Sequence, residues 1–160
     1  MAPFRSTIDH AHRYLHLAKA KRVLLLEALM TLVLVRVCLM LFPFRLIAAR
    51  LGTAVSPNDA LVRTSLEAGR SEHAALASEI GWAVARAACF LPFKASCLPQ
   101  AIAAKYMLSR RAVVSVLYFG AARSVSTGKP IESHAWLNAA NVEVTGYPMA
   151  RKFSEIACFV

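Results

Sequence analysis

The sequence predicts an α+β protein: a helix followed by an antiparallel meander, carried behind a hydrophobic helical N-terminal region. Three observations predict it. Residues 23–44 are an apolar run of helical length. Residues 72–91 repeat apolar side chains at helical spacing and stop before Pro92. Residues 112–146 change to β-branched and aromatic stretches separated by turn-formers, the texture of short strands.

The elements follow in chain order. Residues 1–20 are polar and carry His10, His12 and His16. The last two fall on one helix face, but no Glu accompanies them in a zinc-site pattern, so a solvated helix face is expected rather than a metal site. The run VLLLEALMTLVLVRVCLMLFPF (23–44) is long enough to span a bilayer. Glu27 and Arg36 interrupt it, however, and a charge of this kind at mid-membrane costs about 2.5–3.5 kcal/mol. A helix packed on the rest of the protein is therefore favoured over a membrane-associated helix or a dimer seam. Pro43 ends or kinks it. Lys19, Lys21 and Arg22, just before the run, also suit membrane contact.

Gly52, Ser56-Pro57-Asn58-Asp59 and Gly69 mark a boundary, with a short helix over 58–67. The chain divides into a helical N-terminal region, 1–71, and a core, 72–160. In the core, Ser71 can cap a helix over 72–91 whose inner face is Leu76, Ile80, Val84 and Ala87. A second helix spans 97–110, and strands are expected over 112–120, 133–139 and 142–146. Residues 124–130 form a polar loop, and a tight turn at Ala140-Asn141 joins the last two strands.

Composition narrows the function classes. In 160 residues, 58% are hydrophobic and 18% charged, with mean hydropathy +0.49, which excludes a disordered chain. The net charge is +10, and residues 1–52 carry eight basic against two acidic residues, so the positive end adjoins the apolar run. An acidic partner, an anionic membrane or nucleic acid must be weighed. Nucleic acid is not expected, because no recognition motif and no aromatic-interleaved basic patch is present. The four cysteines, Cys38, Cys89, Cys97 and Cys158, make no CxxC or Cys/His cluster, so neither metal nor cofactor is expected. Asp9 and three histidines precede the apolar run and no cleavage site follows it, so a cytoplasmic setting with unpaired thiols is expected, with membrane association as an alternative.

Chemistry concentrates on Cys97 and His134. Cys97 lies in KASCLPQAIAAKYML, in the first turn of a helix that Ser96 can cap. Pro99 is tolerated there because first-turn N–H groups lack helical acceptors. Those amides and the helix dipole favour a thiolate and can hold an oxyanion. His134 lies in a strand, 37 positions later, sharing a face with Trp136. A helix packed across the sheet would bring sulfur and imidazole within reach, the arrangement of nucleophilic catalysis with the histidine as base and then acid.

Taken together, GWAVARAACFLPFKASCLPQAIAAKYMLSRR, the strand VLYFGAAR, SHAWLNAANVEVTGYP and the closing FSEIACF resemble the transglutaminase-like cysteine protease superfamily. More closely, they resemble the stand-alone leader peptidases of bacterial lasso-peptide biosynthesis. The resemblance covers most of the chain after about residue 20, only weakly in the apolar helix. It implies a transglutaminase-like, papain-like core with a hydrophobic helical extension, and proteolysis of one ribosomally made precursor. Cys97 would attack the carbonyl at the leader–core junction and His134 would move the protons. A small leader-binding recognition protein would deliver the precursor peptide. A separate ATP-dependent, asparagine-synthetase-like cyclase would close the freed core.

The family pattern also has an acidic residue about ten to twelve positions after the histidine, where this chain has Val144, Thr145 and Gly146. Glu143 is the nearest carboxylate, with Asn138 and Asn141 as amide candidates. A two-residue turn at 140–141 sets Glu143 opposite Asn138, displaced along the strand from His134. A dyad whose ring is oriented by backbone or solvent is the alternative. Gln100, one turn after Cys97, can serve the oxyanion or bond the adjoining loop, and Trp136 can wall the cleft or fill the core. Two other readings stand beside leader cleavage: acyl transfer on the same core, and a non-catalytic membrane-associated scaffold.

Overall fold

The computed structural model describes residues 19–67, 71–123 and 131–160. The readings of His10, His12 and His16 and of the loop over 124–130 lie outside the described residues. The architecture is α+β, with helices on an antiparallel five-stranded sheet.

Helix α1 spans Lys19–Leu41, a run free of glycine and proline. Pro43 stops it and occupies the N-cap of the short α2, Phe44–Ala48. Only one face of α1 is buried, by Leu24, Leu25, Ala28, Thr31, Leu32 and Val35. That face packs on α4 (Ser71–Ala88) and α5 (Cys97–Ser109), so residues from both sides of position 71 share one core. Before α4, the two-residue strand β1 (Ala54–Val55) leads into α3 (Ala60–Glu67). Asp59 starts α3 as an N-cap, its Oδ1 accepting from Leu61 N at 2.9 Å. Helix α4 ends at Ala88, short of the 91 read from the sequence. Gly81 lets it lie against the sheet, because a Cβ there would run into the Val144 carbonyl.

Glu27 explains how a charge sits within the apolar run. Arg111 Nη1 donates to its Oε1 at 3.0 Å and Nη2 to its Oε2 at 2.6 Å, while Arg110 Nη1 lies 3.5 Å from Oε1. These bonds tie α1 to the end of α5. The hydrogen bonds from Arg111 hold the Glu27 carboxyl below its ordinary value, against the opposing effect of desolvation. A carboxyl whose folded pKa is lowered contributes its stability above its unfolded pKa and loses it as pH falls through the folded one. Glu27→Gln is therefore expected to cost about 1–3 kcal/mol at pH 7 by urea unfolding, with the gap to wild type closing on acidification. Equal stability at pH 7 would show that the bridge contributes nothing.

The sheet order is β1-β5-β2-β3-β4. Strands β2 (Ser115–Arg123), β3 (Ile131–Ala139) and β4 (Val142–Thr145) form the expected meander. β2 starts three residues later than read, because the chain is still leaving α5: Val113 N bonds Leu108 O, and Ala112 takes φ 54°. Ala140 and Asn141, at φ 48° and 60°, make the two-residue hairpin turn with both centres left-handed. The sequence reading assigned no strand to β1 or to β5 (Ser154–Phe159), which returns to flank β2 on its other side. Leu117, Phe119, Ala135, Leu137 and Ala139 face the helices. Val116, Tyr118, Trp136 and Cys158 face the other way, under α3 and a 3₁₀ turn at Met149–Lys152.

Candidate active site

Cys97 opens α5 and is half-buried. Ser96 holds the N-cap position in an extended conformation, but its side chain makes no capping bond, contrary to the expectation from sequence. The turn is closed instead by Gln100. Its backbone N bonds Ser96 O at 3.4 Å, and its Nε2 donates to Ala95 O at 2.7 Å. Of the two roles read for Gln100, the structure shows the loop bond. The N–H groups of Cys97 and Leu98 belong to the first turn, which has no helical acceptors for them.

Helix α5 and strand β2 run back along one another. Lys105 Nζ, two turns into the helix, donates to Ser115 O at 2.7 Å and Phe159 O at 3.3 Å, clamping the far end of α5 to the start of β2. Its burial pushes the lysine down to about 8. From Lys105 back to Cys97 the helix rises about 12 Å, and from Ser115 to Phe119 the strand advances about 13 Å. That rise brings Cys97 toward Phe119, with which it shares the helix-side core, and the next residue, Gly120, is the partner of His134 across the sheet.

His134 is half-buried and well held. Its Nε2 lies 2.7 Å from Gly146 O, and its ring stacks on Phe153 at 5.0 Å and on Trp136 at 6.1 Å. A carbonyl only accepts, so Nε2 carries the proton and, in the neutral ring, Nδ1 is left as the base. Gly146 stands 12 residues after His134. Its φ of +86° and the collision a Cβ would have with Trp136 and Ala135 both require glycine. A register shift at Leu137/Asn138 brings this residue alongside the β3 backbone.

The structure thus places Cys97 and His134 on opposite faces of the sheet: the thiol packs with the helix-side core, the imidazole with Trp136 and Phe153. No hydrogen bond joins them among the described residues. β4 pairs with β3 only as far as Leu137, so beside His134 that edge of β3 is free of a paired strand.

The third-residue candidates all have other partners or positions. Glu143 pairs opposite Asn138 in the register read from the sequence. Its carboxylate accepts from Arg151 Nη2 at 2.9 and 3.1 Å, in the open, and is not bonded to His134. Asn138 Oδ1 accepts from Tyr147 Oη at 2.7 Å, and Asn141 sits in the hairpin turn. Glu143→Gln is therefore expected to leave kcat within a few-fold of wild type. A loss of a hundredfold in a well-folded variant would instead give this carboxylate a transition-state role.

Trp136 is 2% exposed and stacks on Tyr118 at 5.6 Å and 7°, which is the core position of the two read for it. Cys158 is buried with Sγ 3.4 Å from Val55 O, whereas Cys89 is exposed, not packed as a small apolar residue. Among the described residues no group of three or more His, Cys, Asp or Glu could hold a metal ion. Two contributors escaped the sequence reading, the Gly146 carbonyl and the Phe153 ring. Gly146 stands 12 residues after His134, where the resemblance implies an acidic side chain, and it acts there through its backbone oxygen.

Comparison with curated proteins and with solved structures gives no match. The sequence model of the Transglutaminase-like superfamily, by contrast, matches residues 38–158. That span runs from within α1 into β5 and takes in the helix-start cysteine, the strand histidine and all of the sheet but its last residue. The chain belongs to the Transglutaminase-like superfamily.

Proposed function

We propose that this protein is a cysteine peptidase that removes the leader from a ribosomally made lasso-peptide precursor, working on the cytoplasmic side. The observation that carries the reading is a cysteine at a helix start together with a strand histidine whose Nε2 is already committed to a backbone carbonyl. The superfamily includes both cysteine proteases and acyltransferases, and the quoted motifs resemble the leader peptidases within it.

In this reading Nδ1 of His134 takes the Cys97 proton as Sγ attacks the carbonyl at the leader–core junction. The first-turn amides of α5 steady the oxyanion. The C–N bond breaks, the imidazolium returns its proton to the leaving amine, and the leader remains as a thioester on Cys97. Water, deprotonated by Nδ1, then adds to the thioester. The thiol leaves and the leader departs as a carboxylic acid. The Gly146 carbonyl keeps the ring in the required tautomer, the part a side chain plays in a triad. The two groups meet round the free edge of β3 once substrate is seated, as catalytic contacts commonly tighten only in the complex. A recognition protein brings the precursor, and a separate cyclase takes the core amine.

The test is mass spectrometry of a precursor peptide incubated with the protein and its recognition partner in heavy-oxygen water. Hydrolysis leaves one heavy oxygen in the leader carboxylate and frees the core amine. An unlabelled leader joined to an amine would identify acyl transfer, and an unchanged precursor would argue against either chemistry.

A further inference from the structure

Helix α1 is apolar on both sides, yet only one side is packed. Leu25, Ala28 and Leu32 are buried against α4 and α5. Directly opposite, Leu26, Met30, Val33, Val37 and Met40 form a stripe at helical spacing that nothing among the described residues covers, with Met30 and Met40 72% and 73% exposed. From Leu26 to Met40 the stripe extends for about 21 Å along the helix. Leu41, Phe42, Phe44 and Leu46 continue it onto α2. A recess of about 930 Å³ between α1, α2 and α5, lined in part by Leu34, Cys38 and Phe42, carries the apolar surface inward. Isolated exposed apolar residues need no partner, but a continuous face of this length marks an interaction site.

Charge decides what covers it. Between Lys19 and Arg50 the chain has six basic residues and one acidic one. Lys19, Lys21, Arg36, Arg45 and Arg50 are exposed, while the one carboxylate, Glu27, is turned inward onto Arg111. Among residues 19–50, the surface flanking the stripe is therefore positive with no outward acid to answer it. A second copy packed face to face would bring like charges together. An anionic bilayer answers both features, with headgroups for the basic flank and acyl chains for the stripe.

We infer that the outer face of α1 and α2 docks in the interface of an anionic membrane, with α1 lying in the membrane plane. Length and composition alone would let this helix cross a bilayer. Crossing would strip Leu25, Ala28 and Leu32 from the core and break the Glu27–Arg111 bridge, whereas lying flat leaves the packed face where it is. This inference does not depend on the proposed peptidase activity.

The test is flotation of the full chain with vesicles of phosphatidylcholine alone and of phosphatidylcholine with phosphatidylglycerol. The protein is expected to float with the anionic vesicles, to lose binding as salt is raised, and to be released by alkaline carbonate. Met30→Glu/Val37→Glu changes only exposed positions, so its helix content should be unchanged while binding falls by about tenfold or more. Equal flotation with both vesicle types would overturn the electrostatic part. Resistance to carbonate would mean that the helix spans. No flotation, or a lipid-free dimer by light scattering that the double variant dissociates, would overturn the inference.

Discussion

Cys97→Ala is expected to abolish leader cleavage and leave the fold standing. The thiol is half-buried at the first position of α5, where its loss removes one sulfur and no hydrogen bond. The turn around it is held by Gln100 through Ser96 and Ala95, which the substitution does not touch. No other cysteine can take over. Cys158 is fully buried with its Sγ on Val55 O, Cys38 lines the apolar recess, and Cys89 sits at the end of α4 with Sγ 3.5 Å from Ala85 O. Cys38→Ala, Cys89→Ala and Cys158→Ala should therefore keep activity where they fold. The assay is conversion of precursor followed by mass spectrometry, alongside a thermal melt. Wild-type conversion by a folded Cys97→Ala would remove the nucleophile from the account.

His134→Ala is the second large effect. A positioned general base and acid contributes about 10²–10⁴-fold, and that much turnover should be lost with leader binding little changed. The ring also packs against Phe153 and Trp136, so part of any effect could come from loosened packing. His134→Gln helps separate the two, because its amide can donate to Gly146 O and fill much of the space without serving as a base at neutral pH. Stability near wild type with activity as low as His134→Ala identifies proton transfer as the loss. A folded variant within about threefold of wild type would be too active for that role, given those magnitudes.

Much of the fold is legible because local chemistry and tertiary packing agree. Pro43 ends α1, the turn-formers at 56–59 lead into α3, and the Ala140-Asn141 turn sets Glu143 opposite Asn138. Strand β5 is harder to read. SEIACF is a short, half-polar segment, and its place beside β2 depends on a long-range pairing that no local pattern encodes. β1, at two residues, has no pattern at all. Within the site, residue types and spacing pick out Cys97 and His134, but alternation along β3 only says that His134 shares a face with Trp136. It does not say which face meets α5, and the structure puts that pair on the side away from the helix. The acceptor for His134 is a backbone oxygen, which every residue has, so no side-chain search along 138–146 could single out Gly146. Glu143 drew attention because it is a carboxylate, whereas its place in the hairpin gives it to Arg151.

The most direct test is to trap the acyl-enzyme. Precursor, recognition protein and this chain are mixed, quenched in acid within the first turnover, and the intact protein is weighed and then digested. The account predicts a species heavier by the leader less one water, with the adduct on the peptide containing Cys97 and absent from Cys97→Ala. Leader released at full rate with Cys97 never acylated, or an adduct mapped to Cys38 or Cys89, would contradict it.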